Sequence, residues 1–545
     1  MLSFLLFIVS LLIVAFGQPS SLSFLGLISA VCGFTLFFRF LIEIDSKKSR
    51  FWFGFLWYGL IQMVQLFWAL GHPFNYIYAV YLIYVSLLGL QFGLFSLFIT
   101  RKNIKSFLAI LGLAGFWVLL EWIRLFFFSG HPWNPVGLAL SGNFYSRQFA
   151  SLWGVYGLSF WVMFVNLFIL RAWLAPSKLR IASAIVLILI PYLYGFAQWQ
   201  VHQDSFSSAR VPKLKVGLVQ TSFPIEEALP ISREDLFALV KEEWRDILTL
   251  SKKAADENVQ LIVLPELVVP YGTYLLIFDY EETKKTFAEV FGSESLKKLP
   301  GKQQHLAMEV DGVWKVNNAF WAQGLANATG AEVVAGLEDR DYLGEGKFRY
   351  HTVAYLFRPH TLATQRYEKR VLVPMGEYIP FAFLRDLAAE YGITGSFTCG
   401  ECAKVLYSQS GPMGISICYE ETLGNMMRES RIKGAEVLVN LTNDGWFPGY
   451  GLPQTHLEHA RLRTVEMGVP LLRACNTGVT AAIDSFGSDI AVLGETRFEQ
   501  EYTQDILIVE VPQYIYQTPY TLFGDKLIII LSALFVLGWG IRRLW

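Results

Sequence analysis

Three residues whose side chains can do chemistry stand at the ends of strand-like segments in the second half of the chain. Glu266 closes "LIVLPE", Lys369 begins "KRVLVPMGE" after a polar strand, and Cys418 closes "GISIC". Active-site residues collect at strand ends in layered α/β domains. A carboxylate, an ammonium and a thiol that meet there form a complete set for acyl transfer. The carboxylate takes the thiol proton, the ammonium stabilises the developing oxyanion, and the sulfur attacks the acyl carbon.

The acids beside the cysteine need an explanation, because nearby negative charge discourages thiol ionisation. Cys418 is followed by Tyr419 and then by Glu420 and Glu421. A lysine close to a thiol lowers its pKa, so we expect Lys369 to offset these acids. Each of the three reactive residues also has an ordinary interpretation. A buried cysteine acts as a small apolar residue, a glutamate after a proline caps a turn, and a lysine is solvated.

The elements that must position these residues lie between residues 199 and 520, where short β-branched segments alternate with amphipathic helices. The predicted strands are 213–220, 259–266, 331–338, 352–357, 414–420, 435–444, 470–476, 480–486 and 506–511, and the predicted helices are 232–257, 421–433 and 451–468. This alternation predicts an α/β layered fold. Several strands are apolar on both faces, which indicates a sheet covered on both sides.

The rest of the chain is typical of a membrane protein. The whole chain of 545 residues is 53% hydrophobic and 17% charged, which is too apolar for an ordinary soluble protein. Eight apolar runs approach or reach the length that crosses a bilayer, near 2–16, 21–41, 51–71, 74–99, 106–127, 148–170, 181–198 and 523–541. We therefore predict a transmembrane domain at 1–198 with seven helices, a soluble domain at 199–520, and a last transmembrane helix within 521–545.

The basic residues predict the orientation of these spans. They gather in alternate short loops, at Lys47, Lys48, Arg50, Arg101, Lys102, Lys105, Arg171, Lys178, Arg180, Arg542 and Arg543. Cytoplasmic loops carry the excess of lysine and arginine, so both termini should be cytoplasmic and 199–520 extracytoplasmic. Glu121 and Arg124 lie one helical turn apart at the end of a span, as snorkelling anchors or as a contact for a lipid headgroup.

Several other classes of site find little support. The net charge of -1 gives no reason to expect nucleic acid, and we found no nucleotide-binding glycine motif. Cys399 and Cys402 have C-x-x-C spacing, but no second pair accompanies them, so a local disulfide or two idle thiols is the better interpretation. His456 and His459 share a helix without the spacing of a zinc signature. We expect no metal and no cofactor.

The segments "LPEL", "YEKRVLVPMGE" and "CYE", in this order, resemble the nitrilase superfamily of carbon–nitrogen hydrolases, which use a Glu-Lys-Cys triad. "KRVLVPMGEYIP" and "NLTNDGWF", together with the eight spans, are similar to its membrane branch. The resemblance implies an αββα sandwich domain inserted in an eight-helix transmembrane domain. It assigns the catalytic roles to Glu266, Lys369, Cys418 and Glu377, and substrate binding to Tyr419, Glu420 and Trp446. Two departures are Leu267, where many relatives have a small polar residue, and 275–325, which does not align.

The resemblance also implies the reaction and its partners. An acyl chain would pass from a phospholipid donor, through a Cys418 thioester, to the N-terminal amine of a diacylglyceryl-cysteine apolipoprotein. The enzyme would be a monomer embedded in the bacterial inner membrane, with its catalytic domain in the periplasm. A membrane-tethered amidase and a transporter with a ligand-binding ectodomain are the alternatives. The apolar segments 268–278 and 378–384 are either core or membrane-facing loops that guide lipid.

Overall fold

The computed structural model describes residues 2–19, 21–225, 233–303, 305–380 and 397–544. It divides into two compact units. The helical unit comprises Met1–Ser208, Phe447–Gly468 and Tyr516–Trp545, and the sheet unit comprises Ala209–Trp446 and Val469–Ile515. The predicted domain limits near 198 and 520 stay a prediction.

Apolar helices make up most of the helical unit. Its longer helices are Leu2–Ala15, Phe34–Leu41, Lys47–Gln65, Tyr76–Ser96, Phe107–Ile123, Ala150–Leu174, Lys178–Phe206, Leu452–Met467 and Lys526–Leu544. Shorter ones are Ser23–Ile28, Arg101–Lys105, Phe144–Gln148 and Pro519–Phe523, and a π-helical turn at Ser29–Gly33 joins Ser23–Ile28 to Phe34–Leu41. Each of the eight predicted apolar runs coincides with helix. In the described part of the chain, five helices are long and apolar enough to cross a membrane, so the count of eight spans stays a prediction.

Aromatic rings and small residues hold these helices together. Phe37 stacks on Trp57 with ring centroids 4.0 Å apart, and both side chains are fully buried. A Cβ on Gly54 would lie 2.1 Å from the Ser96 hydroxyl, so only glycine lets these two helices approach so closely. Close packing of this kind is what associates helices where the surroundings are as apolar as the side chains.

Glu121 and Arg124 are both buried, which excludes the snorkelling interpretation. Glu121 Oε1 accepts hydrogen bonds from Trp117 Nε1 and the Val136 amide, each at 2.8 Å. Arg124 Nε donates to Gln91 Oε1 at 2.7 Å. Snorkelling requires the charged end of a side chain to reach the interface, whereas here both ends bond inside the unit.

The described residues of the sheet unit form two six-stranded sheets and a small three-stranded sheet. Its strands are β1 Lys213–Gln220, β2 Leu261–Val263, β3 Phe278–Asp279, β4 Ala307–Val310, β5 Val313–Val316, β6 Glu332–Gly344, β7 Lys347–Arg358, β8 Thr361–Glu368, β9 Val405–Ser408, β10 Gly411–Ile417, β11 Val437–Thr442, β12 Leu471–Cys475, β13 Ala481–Ile483, β14 Asp489–Val492 and β15 Asp505–Pro512. The strand orders are β15-β1-β2-β6-β7-β8, β14-β13-β12-β11-β10-β9 and β3-β5-β4. The central strands β1-β2-β6 and β10-β11-β12 pair in parallel.

The two large sheets share one apolar core. Val216 and Val263 of the first sheet belong to the same buried cluster as Ile415 and Val439 of the second. Helices cover the outer faces, with Arg233–Asp256 and Asn318–Thr329 on the first sheet and Gly424–Ile432 on the second, while Tyr280–Phe291 packs on the small sheet. The predicted α/β fold with strands apolar on both faces is therefore confirmed, because each large sheet is packed on both sides.

The segment that resists alignment, 275–325, folds into the helices Tyr280–Phe291 and Asn318–Thr329 and the small sheet. The apolar segment 268–278, which overlaps its start, is core only in part, since Val268, Val269, Thr273 and Phe278 are buried while Tyr274 is exposed. The segment 378–384 extends beyond residue 380, so most of it lies outside the described residues.

Candidate active site

The structure brings the three strand-end residues of the sheet unit together. Lys369 follows β8 directly, Cys418 follows β10 directly, and Glu266 lies three residues after β2. Lys369 Nζ donates to Glu266 Oε1 at 2.8 Å, and the Cys418 thiol hydrogen-bonds to the same Glu266 carboxyl group. The predicted meeting of carboxylate, ammonium and thiol is thus present in the geometry.

Glu377 completes the surroundings of the lysine. Its Oε1 accepts from Lys369 Nζ at 2.6 Å, and its Oε2 accepts from the Val373 amide at 2.8 Å. The Glu377 carboxylate therefore holds together the loop from Lys369 to Glu377, because it bonds to the first residue and to a residue in the middle of that loop. The Lys369 side chain is 1% exposed, so its ammonium has two carboxylates in place of water.

The backbone fixes Glu266 against the neighbouring strand β6. The Gly336 amide donates to the Pro265 carbonyl, and the Val268 amide donates to the Gly336 carbonyl at 2.9 Å. A Cβ at position 336 would lie 2.3 Å from the Pro265 carbonyl oxygen, so glycine is required there. Leu267, the departure noted in the sequence, has φ +42, and this tight turn directs the chain back onto β6.

Cys418 sits at the start of a short 3-10 turn, Cys418–Thr422, with φ +52. A non-glycine residue in the left-handed region costs of order 1–3 kcal/mol and persists where the surrounding structure over-determines it. The residue is partly exposed although both of its neighbours in the chain are buried. The strained turn therefore presents the thiol at the end of the buried strand β10.

The charges of the site follow from burial and from the ion pairs. Burial raises the pKa of the Glu266 carboxyl above its ordinary value, against the opposing influence of Lys369. Burial alone would lower the pKa of Lys369, but Glu266 and Glu377 outweigh it and hold that pKa well above the ordinary value. Lys369 therefore keeps its proton in the resting site.

The pKa of Cys418 is also raised, first by burial and then by Glu266, while Lys369 lowers it. Lysine acts in the expected direction, but it does not outweigh burial. The resting sulfur is therefore a protonated thiol. It becomes a nucleophile only when a base removes its proton, and Glu266 is the carboxylate bonded to it.

Glu420 has structural partners on every side. Its Oε2 accepts from the Tyr367 hydroxyl at 2.9 Å and from the Ile417 amide at 2.8 Å, and its Oε1 accepts from the amides of Arg370 and Val371 at 2.5 and 3.1 Å. The side chain has no exposed surface. Burial raises its pKa to about 7 although these amides lower it. This geometry ties the strand before Cys418 to the loop after Lys369, and it leaves Glu420 no surface with which to touch substrate.

Tyr419 and Trp446, the other two residues predicted to bind substrate, differ in exposure. Tyr419 is buried, whereas Trp446 is partly exposed at the end of the 3-10 turn Asp444–Trp446. That turn rests on the loop after β12, since the Asp444 amide donates to the Thr477 carbonyl at 3.1 Å. Trp446 lies outside the buried clusters of the described residues, which argues against its being ordinary core.

Three residues that the site depends on were not predicted from the sequence. Tyr367 bonds to Glu420, while Asn440 and Arg473 lie behind Cys418 in β11 and β12. The available signal for Arg473 was a charge inside the apolar strand "LLRAC", because charged residues are rarely buried unless they are paired.

Comparisons with known proteins agree with this geometry. The chain matches the family model described as carbon-nitrogen hydrolase over residues 228–520 and the model described as apolipoprotein N-acyltransferase N-terminal domain over residues 9–168. The first match defines the class of the sheet unit, a carbon–nitrogen hydrolase domain.

Curated relatives narrow the class further. Apolipoprotein N-acyltransferase of Chlamydia pneumoniae is 31% identical, over 99% of this chain and 98% of the relative. The enzyme of the same name from Chlamydia caviae is 30% identical, over 98% of this chain and 96% of the relative. The one from Pasteurella multocida is 26% identical, over 92% of this chain and 90% of the relative. The chain belongs to the apolipoprotein N-acyltransferase family. It is a membrane-embedded enzyme of lipoprotein N-acylation, with lipoprotein as its substrate.

Proposed function

We propose that Cys418 carries the acyl chain as a thioester between a phospholipid donor and a lipoprotein acceptor. The observation that carries the proposal is the set of contacts around Glu266, which bonds to both the Cys418 thiol and the Lys369 ammonium. Glu266 is the general base, Lys369 the electrostatic partner of the oxyanion, and Cys418 the nucleophile.

In the first step, Cys418 Sγ attacks the ester carbonyl carbon of the phospholipid while Glu266 takes the thiol proton. The ammonium of Lys369 stabilises the negative charge that develops on the carbonyl oxygen. The ester C–O bond then breaks, and Glu266 returns the proton to the departing oxygen. The products of this step are the Cys418 thioester and a lysophospholipid.

In the second step, the free α-amino group of a diacylglyceryl-cysteine attacks the thioester carbon. Glu266 accepts the amine proton, the C–S bond breaks, and Glu266 passes the proton to the departing Cys418 sulfur, so that an N-acyl amide and the Cys418 thiol are formed. Using one base in both directions is consistent with a ping-pong route. The raised pKa values of Glu266 and Cys418 suit this reversible exchange of a single proton.

The remaining residues of the site have supporting roles in this proposal. Glu377 is the second carboxylate that holds the Lys369 ammonium, beside Glu266. Glu420 is a positioning residue rather than a substrate-binding one, because it is fully buried and bonded to backbone amides. Tyr419 packs beside the nucleophile, and Trp446 provides the partly exposed aromatic surface for acyl chains.

The location of the reaction belongs to the same proposal. We place the enzyme in the bacterial inner membrane, with 199–520 in the periplasm and the helices of 1–198 and 521–545 in the bilayer, as a monomer. The alternation of basic residues between the short loops supports this orientation. A phospholipid donor and a lipid-anchored acceptor would both be available at that membrane face.

A membrane-tethered amidase is the competing function, since the same triad could deliver the acyl group to water. The test is to incubate the purified enzyme with phospholipid and a diacylglyceryl-cysteine peptide that has a free amine, and to identify the products by mass spectrometry. Transfer predicts N-acyl peptide in amounts equal to the lysophospholipid released. Free fatty acid in place of N-acyl peptide would contradict the proposal and favour the amidase.

A further inference from the structure

A fully buried ionic cluster lies directly behind the nucleophile of the sheet unit. Arg473 Nη2 lies 2.9 Å from Asp444 Oδ2, and Arg473 Nη1 forms an ion pair with Glu421. None of the three side chains is more than 1% exposed. Buried charges are expensive unless they are paired, and here a single guanidinium serves two carboxylates.

The cluster is connected to Cys418 by one side chain. Arg473 Nη1 donates to Asn440 Oδ1 at 3.3 Å. Asn440 Nδ2 donates to the Cys418 carbonyl at 3.2 Å and to the Ser416 hydroxyl at 3.1 Å. The guanidinium can only donate, so it fixes the amide oxygen of Asn440 toward itself and the amide nitrogen toward Cys418.

The strand register explains why these residues meet. Ser416 of β10 pairs with Asn440 of β11, and Asn440 pairs with Arg473 of β12. The three form a polar row across three adjacent parallel strands. The neighbouring positions of β11 and β12 are all buried and mostly apolar. A row of this kind, ending at the carbonyl of a residue with φ +52, is suited to holding a strained turn in place.

The same cluster affects how much negative charge surrounds the Cys418 thiol. The charged groups that influence the Cys418 thiol are Glu266, Lys369 and Asp444, and the two carboxylates disfavour the thiolate. The guanidinium of Arg473 is paired with Asp444 and with Glu421, the second acid after the cysteine. Without Arg473, the ion pairs that neutralise Asp444 and Glu421 behind the nucleophile would be lost.

We propose that Arg473 is a positioning residue for the acyl-transfer reaction, which fixes the Cys418 carbonyl through Asn440 and neutralises the acids behind the thiol. This inference rests on the proposed role of Cys418 as the nucleophile. Arg473 does not touch substrate. It determines where the sulfur points and how much negative charge surrounds it when the proton leaves.

The experiment measures the alkylation of Cys418 by iodoacetamide as a function of pH, together with the single-turnover rate of acylation by phospholipid, in the full-length enzyme in detergent. Arg473→Gln should move the alkylation profile to higher pH and slow acylation by about 10²-fold, on the scale of losing one preorganised electrostatic contact. The double variant Arg473→Gln/Asp444→Asn removes one negative charge as well. Its alkylation profile should return toward that of the wild type, while acylation stays slow because the anchor through Asn440 is still lost.

Arg366→Gln is the matched control, because Arg366 also bridges several carboxylates in the sheet unit, at Asp339, Asp341 and Glu368. It should leave the alkylation profile unchanged. If Arg473→Gln keeps the wild-type alkylation profile and acylation rate, the inference is overturned. If Arg473→Gln does not fold, Asn440→Ser decides, since it removes the carbonyl anchor and leaves the charges. It should slow acylation without a change in thermal unfolding, and full activity would overturn the inference.

The outcomes separate this inference from the proposed function. If the wild-type enzyme is not alkylated at Cys418, the nucleophile assignment is wrong and the role of Arg473 fails with it. If Cys418 of the wild-type enzyme is alkylated, but the Arg473 and Asn440 variants behave like the wild type, the acyl-transfer proposal stands. In that case only the positioning role of Arg473 is rejected.

Discussion

Lys369 and Glu266 are 103 residues apart in the sequence, yet Lys369 Nζ donates to Glu266 Oε1 at 2.8 Å. The contact joins the end of β8 to the turn after β2, within one six-stranded sheet. Both side chains are withdrawn from water, so their interaction is only weakly screened. The Glu266 carboxylate, which accepts a hydrogen bond from this ammonium, also accepts one from the Cys418 thiol. Proton acceptor and oxyanion partner are therefore assembled before any substrate arrives.

Replacing Lys369 tests whether its ammonium stabilises the oxyanion. Lys369→Met should slow thioester formation by about 10²–10³-fold or more, the usual scale for losing one oxyanion donor. The two carboxylates left without a cation would also disfavour negative charge nearby. The measurement is single-turnover acylation by phospholipid. Lys297→Met, at an exposed position, is the control and should match the wild type. A loss of less than tenfold in Lys369→Met would rule out the proposed role.

Replacing the glutamate should separate thiol ionisation from turnover. Burial and the Glu266 charge raise the Cys418 pKa, so wild-type alkylation by iodoacetamide should keep rising with pH through the alkaline range. Glu266→Gln removes the negative charge, which lowers the thiol pKa and moves the alkylation profile to lower pH. Turnover should fall strongly in the same variant because the proton acceptor is gone. Unchanged turnover in Glu266→Gln would contradict a base role for Glu266.

The triad could be predicted because its members lie at strand ends and because "LPEL", "YEKRVLVPMGE" and "CYE" occur in the order that resembles the nitrilase superfamily. The sequence also predicted nine strands, all of which are present, and the helices Arg233–Asp256, Gly424–Ile432 and Leu452–Met467. The strands it missed include β3, two residues long, and the partly exposed strands β9 and β14. Such strands lack a strong apolar pattern of their own and exist through pairing with their neighbours.

The roles of Glu420 and Arg473 could not be read from local sequence. The family resemblance assigned Glu420 to substrate binding, but its four hydrogen-bond donors come from residues 367, 370, 371 and 417. Arg473 reaches the site only through the lateral register of three parallel strands. Both roles depend on which strands become neighbours, and that is a property of the tertiary fold.

The orientation in the membrane is tested by reporter fusions. Fusions after residues 47, 102 and 178 should report the cytoplasm, and a fusion near residue 300 should report the opposite side, because the basic residues gather in alternate loops. The measurement is the activity of a reporter that works on only one side of the membrane. A cytoplasmic signal near residue 300 would overturn the orientation and with it the periplasmic reaction.

Trp446 is expected to contact acyl chains, since it is a partly exposed aromatic at the end of the turn Asp444–Trp446. A phospholipid cannot leave the bilayer at low cost, because each exposed CH₂ costs about 0.8 kcal/mol. Trp446→Ala should therefore slow acylation by a long-chain phospholipid much more than acylation by a short-chain soluble ester. Equal slowing with both donors, at unchanged thermal stability, would reject contact with the chain and leave Trp446 in the reaction chamber.

The central claim is that Cys418 becomes covalently acylated. The most direct measurement is the intact mass of the full-length enzyme after incubation with phospholipid alone, followed by peptide mapping. The account predicts one added acyl group per chain, located on Cys418, removed by hydroxylamine and absent from Cys418→Ala. Cys402→Ala, which changes an exposed cysteine, should still form the adduct. An enzyme that remains active in N-acylation when Cys418 is replaced, or an acyl group that maps to another residue, would contradict the account.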